Sequence, residues 1–230
     1  MKQVNQIKKI FVAIVIAIAM LVQPVFLAAE NITIPGAQAE PKIIVIDPGH
    51  GGYDPGAVHG SVLEKDINLA ISEKVKKYLE DAGVKVFLTR TGDFNFAIKG
   101  LHGLEAKRYD LKKRVDLAQE VNADILITLH VNSVRKEIYQ GAETFYHPTS
   151  QEGKTLALAI QEEFLSIPDM KKRDSKMSLC YILRNSKMPA VLVEVGYLSN
   201  PVERKSLLEA KYRDLLAEKI AAGIVRYFNN

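Results

Sequence analysis

Ile43-Ile44-Val45-Ile46-Asp47-Pro48-Gly49-His50 is a run of β-branched residues that stops abruptly at polar and turn-forming ones. The pattern recurs: the apolar run 125–129 ends at His130, and the run 191–193 ends at Glu194. Near-continuous Val/Ile/Leu runs of this length read as strands buried on both faces of a parallel sheet. The carboxyl ends of such strands open onto the ligand crevice of open α/β folds. Function is expected where the three ends converge.

Outward from these runs, strand and helix patterns alternate. A strand at 42–46 precedes a helix whose apolar side carries Ile67, Ile71, Val75, Tyr78 and Leu79, with Gly83 as its C-terminal stop. Residues 84–89 make the next strand, 90–109 a long loop, and 111–121 a helix with Leu111, Val115 and Ala118 in register. After the strand at 125–129 come a strand at 142–146, a helix at 156–165, a short strand at 181–183, a central strand at 191–195 and two closing helices. This alternation predicts an α/β fold: a single domain with a largely parallel twisted sheet flanked by helices on both faces, and the active site at the C-terminal ends of the strands.

Residues 1–39 read as an address. Lys2, Lys8 and Lys9 precede an apolar stretch at 10–22 that Gln23-Pro24 interrupts, as in an export signal. Ala37-Gln38-Ala39 and Ala28-Ala29 offer small-residue cleavage sites. An uncleaved N-terminal anchor is the alternative, although the stretch falls short of the about 20 residues of a full span. Either form carries residues 40–230 across the cytoplasmic membrane, and no membrane contact is expected beyond the leader or anchor. The roughly 190 remaining residues suit one domain with one core. Of the formal charge of +4, Lys2, Lys8 and Lys9 against Glu30 account for +2, and the +2 left over makes nucleic acid a poor partner. No repeat or linker marks an added wall-binding or lipid-binding module. Cys180 is the only cysteine, so no internal disulfide forms; beside Leu179 and Tyr181 it reads as a small apolar core residue rather than a reactive thiol.

His50 lies in the turn Asp47-Pro48-Gly49-His50-Gly51-Gly52, whose glycines permit backbone geometry that lets a loop wrap an ion or substrate. One histidine at a strand end is most often structural. Two of them, His50 and His130, each ending a buried strand, point to a site. Glu64 stands just before a helix expected to start near Asp66, where a carboxylate also complements the macrodipole. Two imidazoles and one carboxylate nevertheless make a common zinc set, which leaves a fourth position open for water. Glu194 interrupts Ala190-Val191-Leu192-Val193-Glu194-Val195, where an unpaired carboxylate is costly to bury. An ion pair with Arg184 or Arg90 is the structural account; a general base facing the metal is the chemical one, favoured because the strand ends at the crevice. Asp47 reads as a turn residue before Pro48, with an acceptor for a ligand imidazole as the alternative. Asn132, two positions beyond His130, either touches substrate or holds a loop.

Four ordered blocks carry a resemblance: Ile44-Val45-Ile46-Asp47-Pro48-Gly49-His50-Gly51-Gly52, Glu64-Lys65-Asp66, Leu129-His130-Val131-Asn132-Ser133, and Pro189-Ala190-Val191-Leu192-Val193-Glu194-Val195-Gly196-Tyr197-Leu198-Ser199-Asn200. From about Pro41 to Phe228 the chain resembles the zinc-dependent N-acetylmuramoyl-L-alanine amidases of bacterial cell walls, and Thr89-Arg90, Asp93, Leu111, Arg114 and Ala123-Asp124 also fit. The resemblance implies that His50, Glu64 and His130 hold one Zn2+ ion and that Glu194 is the catalytic glutamate. His59, His102 and His147 match no part of that metal site. Residues 94–109 exceed the minimal family pattern and are expected to shape a substrate or partner surface. The size, the leader and Glu105-Ala106-Lys107-Arg108-Tyr109-Asp110-Leu111-Lys112-Lys113-Arg114 are similar to the germination-specific amidases of spore-formers. That narrower likeness implies spore cortex peptidoglycan as substrate, with stem peptides removed ahead of muramic-δ-lactam formation.

On this reading Glu194 takes a proton from water activated at zinc and returns it to the departing L-alanine amine. One alternative is a zinc carboxypeptidase acting on stem peptides, which the same donor set would serve. The other is a non-catalytic wall-binding protein with structural zinc, which needs a closed ligand shell and leaves Glu194 unused. A bare hydrolase in the wall compartment is hazardous, so an exported activating protein is an expected partner besides the peptidoglycan substrate.

Overall fold

The computed structural model describes residues 41–230, and the expected leader lies outside them. Strands β1 (Ile43–Pro48), β4 (Lys85–Leu88), β5 (Ile125–Asn132) and β8 (Ala190–Tyr197) run parallel in the order β4-β1-β5-β8. Strand β6 (Glu143–Tyr146) joins β8 antiparallel and carries the short edge strand β7 (Lys176–Met177). A separate hairpin pairs β2 (Val58–His59) with β3 (Val62–Leu63).

The three apolar runs are the central strands, and their side chains alternate between two layers as a period of two requires. Ile44, Ile46, Ile127, Leu129, Val191 and Val193 meet helices α1 (Glu64–Asp81), α3 (Gln151–Phe164) and α6 (Ala210–Asn229) on one face. Val45, Leu126 and Ala190 meet α2 (Gly103–Glu120) and α4 (Tyr181–Asn185) on the other. Each fully buried aliphatic side chain is worth about 1.5–3 kcal/mol, so burial on both faces explains why these runs read as continuous rather than alternating. A short helix, α5 (Pro201–Leu208), follows β8, started by Asn200, whose side chain accepts from the backbone of Val202 and Glu203. No helix among the described residues is long and apolar enough to cross a membrane.

Several local expectations change. The segment 181–183 is the start of helix α4, not a strand; Ile182 and Leu183 reach the core from it, and three residues are too few to set a period. Helix α2 begins at Gly103, so the expected loop 90–109 ends in two helical turns. Those turns bury only Ala106 and Asp110, so apolar periodicity gives no sign of them. Helix α1 starts at Glu64 itself, and α3 starts at Gln151 behind Ser150, whose hydroxyl accepts from Gly153 N at 3.0 Å.

Asp47 is the largest departure. It is not a turn residue but a fully buried carboxylate at the end of β1. Arg114 Nη1 donates to its Oδ1 at 2.7 Å, Thr128 donates to Oδ2 at 2.7 Å, and the Thr89 hydroxyl is a further donor. The same guanidinium reaches Pro48 O at 2.9 Å, His50 O at 2.7 Å and Asp110 Oδ2 at 2.9 Å. Arg90, also buried, has carbonyl partners instead: Pro48 O at 2.9 Å, Gly49 O at 3.1 Å, Gly92 O at 3.0 Å and Lys65 O at 2.7 Å. Together the two arginines grip the loop that leaves β1.

Burial pushes the Asp47 carboxyl up, but Arg114 and the two threonines outweigh it and hold the group below its ordinary value. A depressed acid stabilises the fold above its unfolded value and loses that contribution as pH falls through the folded one. Arg114→Met leaves Asp47 buried without its cation, and should lower the unfolding free energy by about 3–5 kcal/mol in urea denaturation at neutral pH. The deficit should shrink on acidification, as Asp47 protonates in the variant before it does in the parent.

Candidate active site and metal centre

His130 and Glu194 are register partners on β5 and β8. Laterally paired residues face the same way, so both side chains stand on the α2/α4 face at the C-terminal end of the sheet. His50 arrives from the loop after β1 with φ 65°, a left-handed conformation that non-glycine residues rarely adopt. Arg114 holds its carbonyl there. Gly49 is required beside it, because a Cβ would collide with the imidazole of His130. Glu64 comes from the first residue of α1.

One donor atom from each of His50, Glu64 and His130 lies within 4.8 Å of the others. Glu64 Oε1 is 3.0 Å from His130 Nδ1 and 3.2 Å from His50 Nε2, and the rings sit edge to face. The carboxylate is fixed by further donors: Val131 N at 3.1 Å and Asn68 Nδ2 at 3.3 Å on Oε1, and Ala57 N at 2.8 Å on Oε2. Asn68 and Asp54 escape a reading by motif alone. Each lies four residues beyond a member of the cluster, Asn68 beyond Glu64 and Asp54 beyond His50, and that spacing is the signal by which they are found. Asn68 Nδ2 also bonds Gly49 O at 3.2 Å, and Asp54 Oδ2 lies 2.9 Å from His50 Nδ1. That last contact is off the N–H axis, so His50 Nδ1 has no hydrogen-bond partner.

The electrostatics favour a cation. Burial pulls the His50 imidazole down, but the carboxylates of Asp54 and Glu64 outweigh it and raise the ring to about 9. Burial pushes Glu64 up, yet His130 and His50 bring it well below the usual carboxylate range, and His50 beside Asp54 lowers that group to about 2. A pocket that stabilises protons on imidazoles next to ionised carboxylates also stabilises a metal ion in their place. Two nitrogens and one carboxylate oxygen converging on one point suit a borderline-soft divalent ion.

Glu194 behaves in the opposite way. Burial is the main cause that raises its carboxyl to about 7, and its Oε2 is buried with no hydrogen-bond partner. Neither expected arginine pairs with it: Arg90 is engaged by carbonyls, and Arg184 is exposed at the other end of β8. His59 lies in the hairpin, His102 precedes α2 and His147 bonds Thr149, all outside the cluster. Asn132 closes β5, where its carbonyl accepts from Leu198 N at 2.7 Å. Cys180 is half-buried against the second core layer, with burial raising its thiol. A cleft of about 70 Å³ between His50, His130, Lys107 and Leu111 borders the cluster. A larger hollow of about 420 Å³, lined by His147, Arg184 and Ala190, is at the opposite end of β8 and holds none of His50, Glu64, His130 and Glu194.

A family model described as N-acetylmuramoyl-L-alanine amidase matches residues 44–226. The chain belongs to that family of zinc-dependent amide hydrolases. The amidase is 38% identical over 189 residues to the germination-specific N-acetylmuramoyl-L-alanine amidase of Bacillus subtilis, covering 81% of this chain and 80% of that relative. Its fold matches the CwlD amidase from Clostridioides difficile, solved in complex with the GerS lipoprotein, with a TM-score of 0.78 and 36% identity over 81% of this chain and 98% of that one. It also matches the catalytic domain of CwlV from Bacillus (Paenibacillus) polymyxa var. colistinus, with a TM-score of 0.72 and 33% identity over 81% and 97% of the two chains. Peptidoglycan is the amidase's substrate class.

The raised carboxyl of Glu194 costs stability. Between its ordinary 4.5 and about 7 the folded amidase keeps a proton that the unfolded chain has lost, so stability falls as pH rises through that window. In metal-free protein, Glu194→Gln should remove this fall, narrowing the difference in unfolding free energy between pH 5 and pH 8 by at most about 3 kcal/mol. Denaturant titrations at the two pH values measure it.

Proposed function

We propose that His50, Glu64 and His130 hold a single zinc ion and that Glu194 moves the proton in hydrolysis of the amide between the lactyl group of N-acetylmuramic acid and L-alanine. One observation carries the reading: a half-buried carboxylate, its Oε2 enclosed without a hydrogen-bond partner, stands in register beside one of three converging donors. When bound, zinc supplies Lewis-acid polarisation of the amide carbonyl and makes water a better acid. Glu194 Oε2 accepts the proton of the attacking water and delivers it to the nitrogen of the leaving L-alanine. A carboxyl whose value lies near neutrality suits both transfers. Glu64, fixed by the backbone of Ala57 and Val131, keeps its position while the proton moves.

The substrate we favour is spore cortex peptidoglycan, where stem peptides are removed ahead of muramic-δ-lactam formation. The 38% identity to a germination-specific relative over 80% of its length supports this. Residues 1–39 serve as an export signal or anchor and residues 40–230 as the catalytic domain, which acts in the cell wall or the forespore intermembrane space. An exported protein orders or completes the site. Support comes from a similar amidase solved with a lipoprotein, and from the apolar side chains of Phe94, Ile98 and Leu104, which stand in solvent.

Digestion of defined peptidoglycan with and without chelator, followed by fragment masses, tests bond and metal together. Whole peptides beginning with alanine are expected, and only without chelator; shortened stems still joined to glycan would mean a carboxypeptidase. Glu194→Ala should lose about 10²- to 10⁴-fold in turnover while keeping its zinc. Turnover within tenfold of the parent excludes the proton-transfer role. His130→Ala should lose the metal, and stoichiometric zinc in that variant removes His130 from the ligand set.

A further inference from the structure

Glu143 opens β6 directly opposite Glu194. Opposed residues of an antiparallel pair share a face with Cα atoms about 5 Å apart, so two carboxylates stand side by side at the end of the sheet. Glu143 is almost wholly buried, and the proposed hydrolysis does not use it. Lys176 Nζ reaches its two oxygens at 3.2 and 3.1 Å, the Tyr197 hydroxyl donates at 3.1 Å, and Arg173 Nε lies 3.3 Å away. One cation would neutralise this carboxylate. Two are present, and Glu203, which accepts from Gly141 N and Tyr197 N, is a second carboxylate that interacts with Arg173, so what the cluster offers one strand away from Glu194 is unengaged cationic donors rather than a surplus of charge.

The arginine is held in place by groups other than Glu143. Its guanidinium lies 5.7 Å from the ring centroid of Tyr139 and 5.5 Å from that of Tyr197, and the rings stack 6.0 Å apart. Nε donates to Gln140 O at 2.7 Å. Neither terminal nitrogen makes a hydrogen bond among the described residues, which leaves the edge of the planar fork suited to bidentate carboxylate binding unused. The Lys176 side chain is 51% exposed. Around His50 the carboxylates of Asp54 and Asp110 already have Lys107 and Arg114 beside them, so it is at β6 and β7 that cationic donors are left for an anionic group of the substrate.

Resting on the amidase reading of this site, we propose that Arg173 and Lys176, seated on Glu143 beside Glu194, bind a free carboxylate of the stem peptide. The leaving peptide then runs across the β6–β7 edge. Recognition adds no bond-making step; it sets which peptides are cut and in which direction they lie.

The test uses the zinc-loaded protein and two muramoyl-peptides that differ only in the residue following alanine, with its carboxylate free in one and amidated in the other. The parent should favour the free acid. Lys176→Gln should lower kcat/KM on the acid roughly 10- to 100-fold, mainly through KM, and leave the amide within about twofold. Arg173→Gln should do the same; Lys176→Gln is the safer variant, because Arg173 still balances Glu143. Zinc content and melting temperature should match the parent in both. Equal losses on both substrates, or a parent that does not discriminate, overturn the proposal. If the parent cuts neither substrate, the amidase reading fails instead, and calorimetry with the free acidic peptide still decides: tighter binding by the parent than by Lys176→Gln supports the carboxylate site, and equal binding overturns it.

Discussion

The buried guanidinium of Arg114 is the contact on which the site depends. Asp47 ends a central strand in a position where an unpaired charge would be prohibitive, and Arg114 makes it tenable. The same group bonds the carbonyls of Pro48 and His50, while Arg90 takes those of Pro48 and Gly49. Successive carbonyls are thus drawn inward, and the backbone of His50 is turned into the left-handed region with its ring toward His130. A structural ion pair and the aim of the His50 imidazole belong to one network.

Two neighbouring carboxylates are driven apart by their surroundings. Glu64 receives backbone and amide donors and two imidazoles, so it stays ionised; Glu194, on the same crevice, has an Oε2 without a hydrogen-bond partner, and burial outweighs the imidazoles and holds its proton to near neutrality. Divergent environments for paired acids are a common way of separating a fixed anchor from a proton carrier.

Much of this was legible in the sequence because strong signals coincided. The runs before Asp47, His130 and Glu194 are apolar on both faces, which only central strands tolerate, and the polar residue ending each run marks the crevice. Glu64 was legible through donor arithmetic, although its helix begins two residues earlier than Asp66 suggests. What stayed hidden lacks an apolar period. The first turns of α2 rest on Ala106 and the Asp110–Arg114 pair, and α4 is too short to declare itself. Asp47 looked like a turn residue because Pro48 follows it; its partner lies 67 positions away, and local pattern cannot register such a pairing.

The immobilised Glu64 carboxylate has a bearing on ion selectivity. Ala57 N bonds Oε2, and Oε1 is the oxygen that faces the two imidazoles. Calcium and magnesium seek shells built almost wholly of oxygen, and calcium often takes both oxygens of a carboxylate. A donor set of two imidazole nitrogens and one carboxylate is poor in oxygen and would suit neither of these ions. The amide of Ala57, the residue that precedes the hairpin, thereby fixes which oxygen of Glu64 is turned toward the rings.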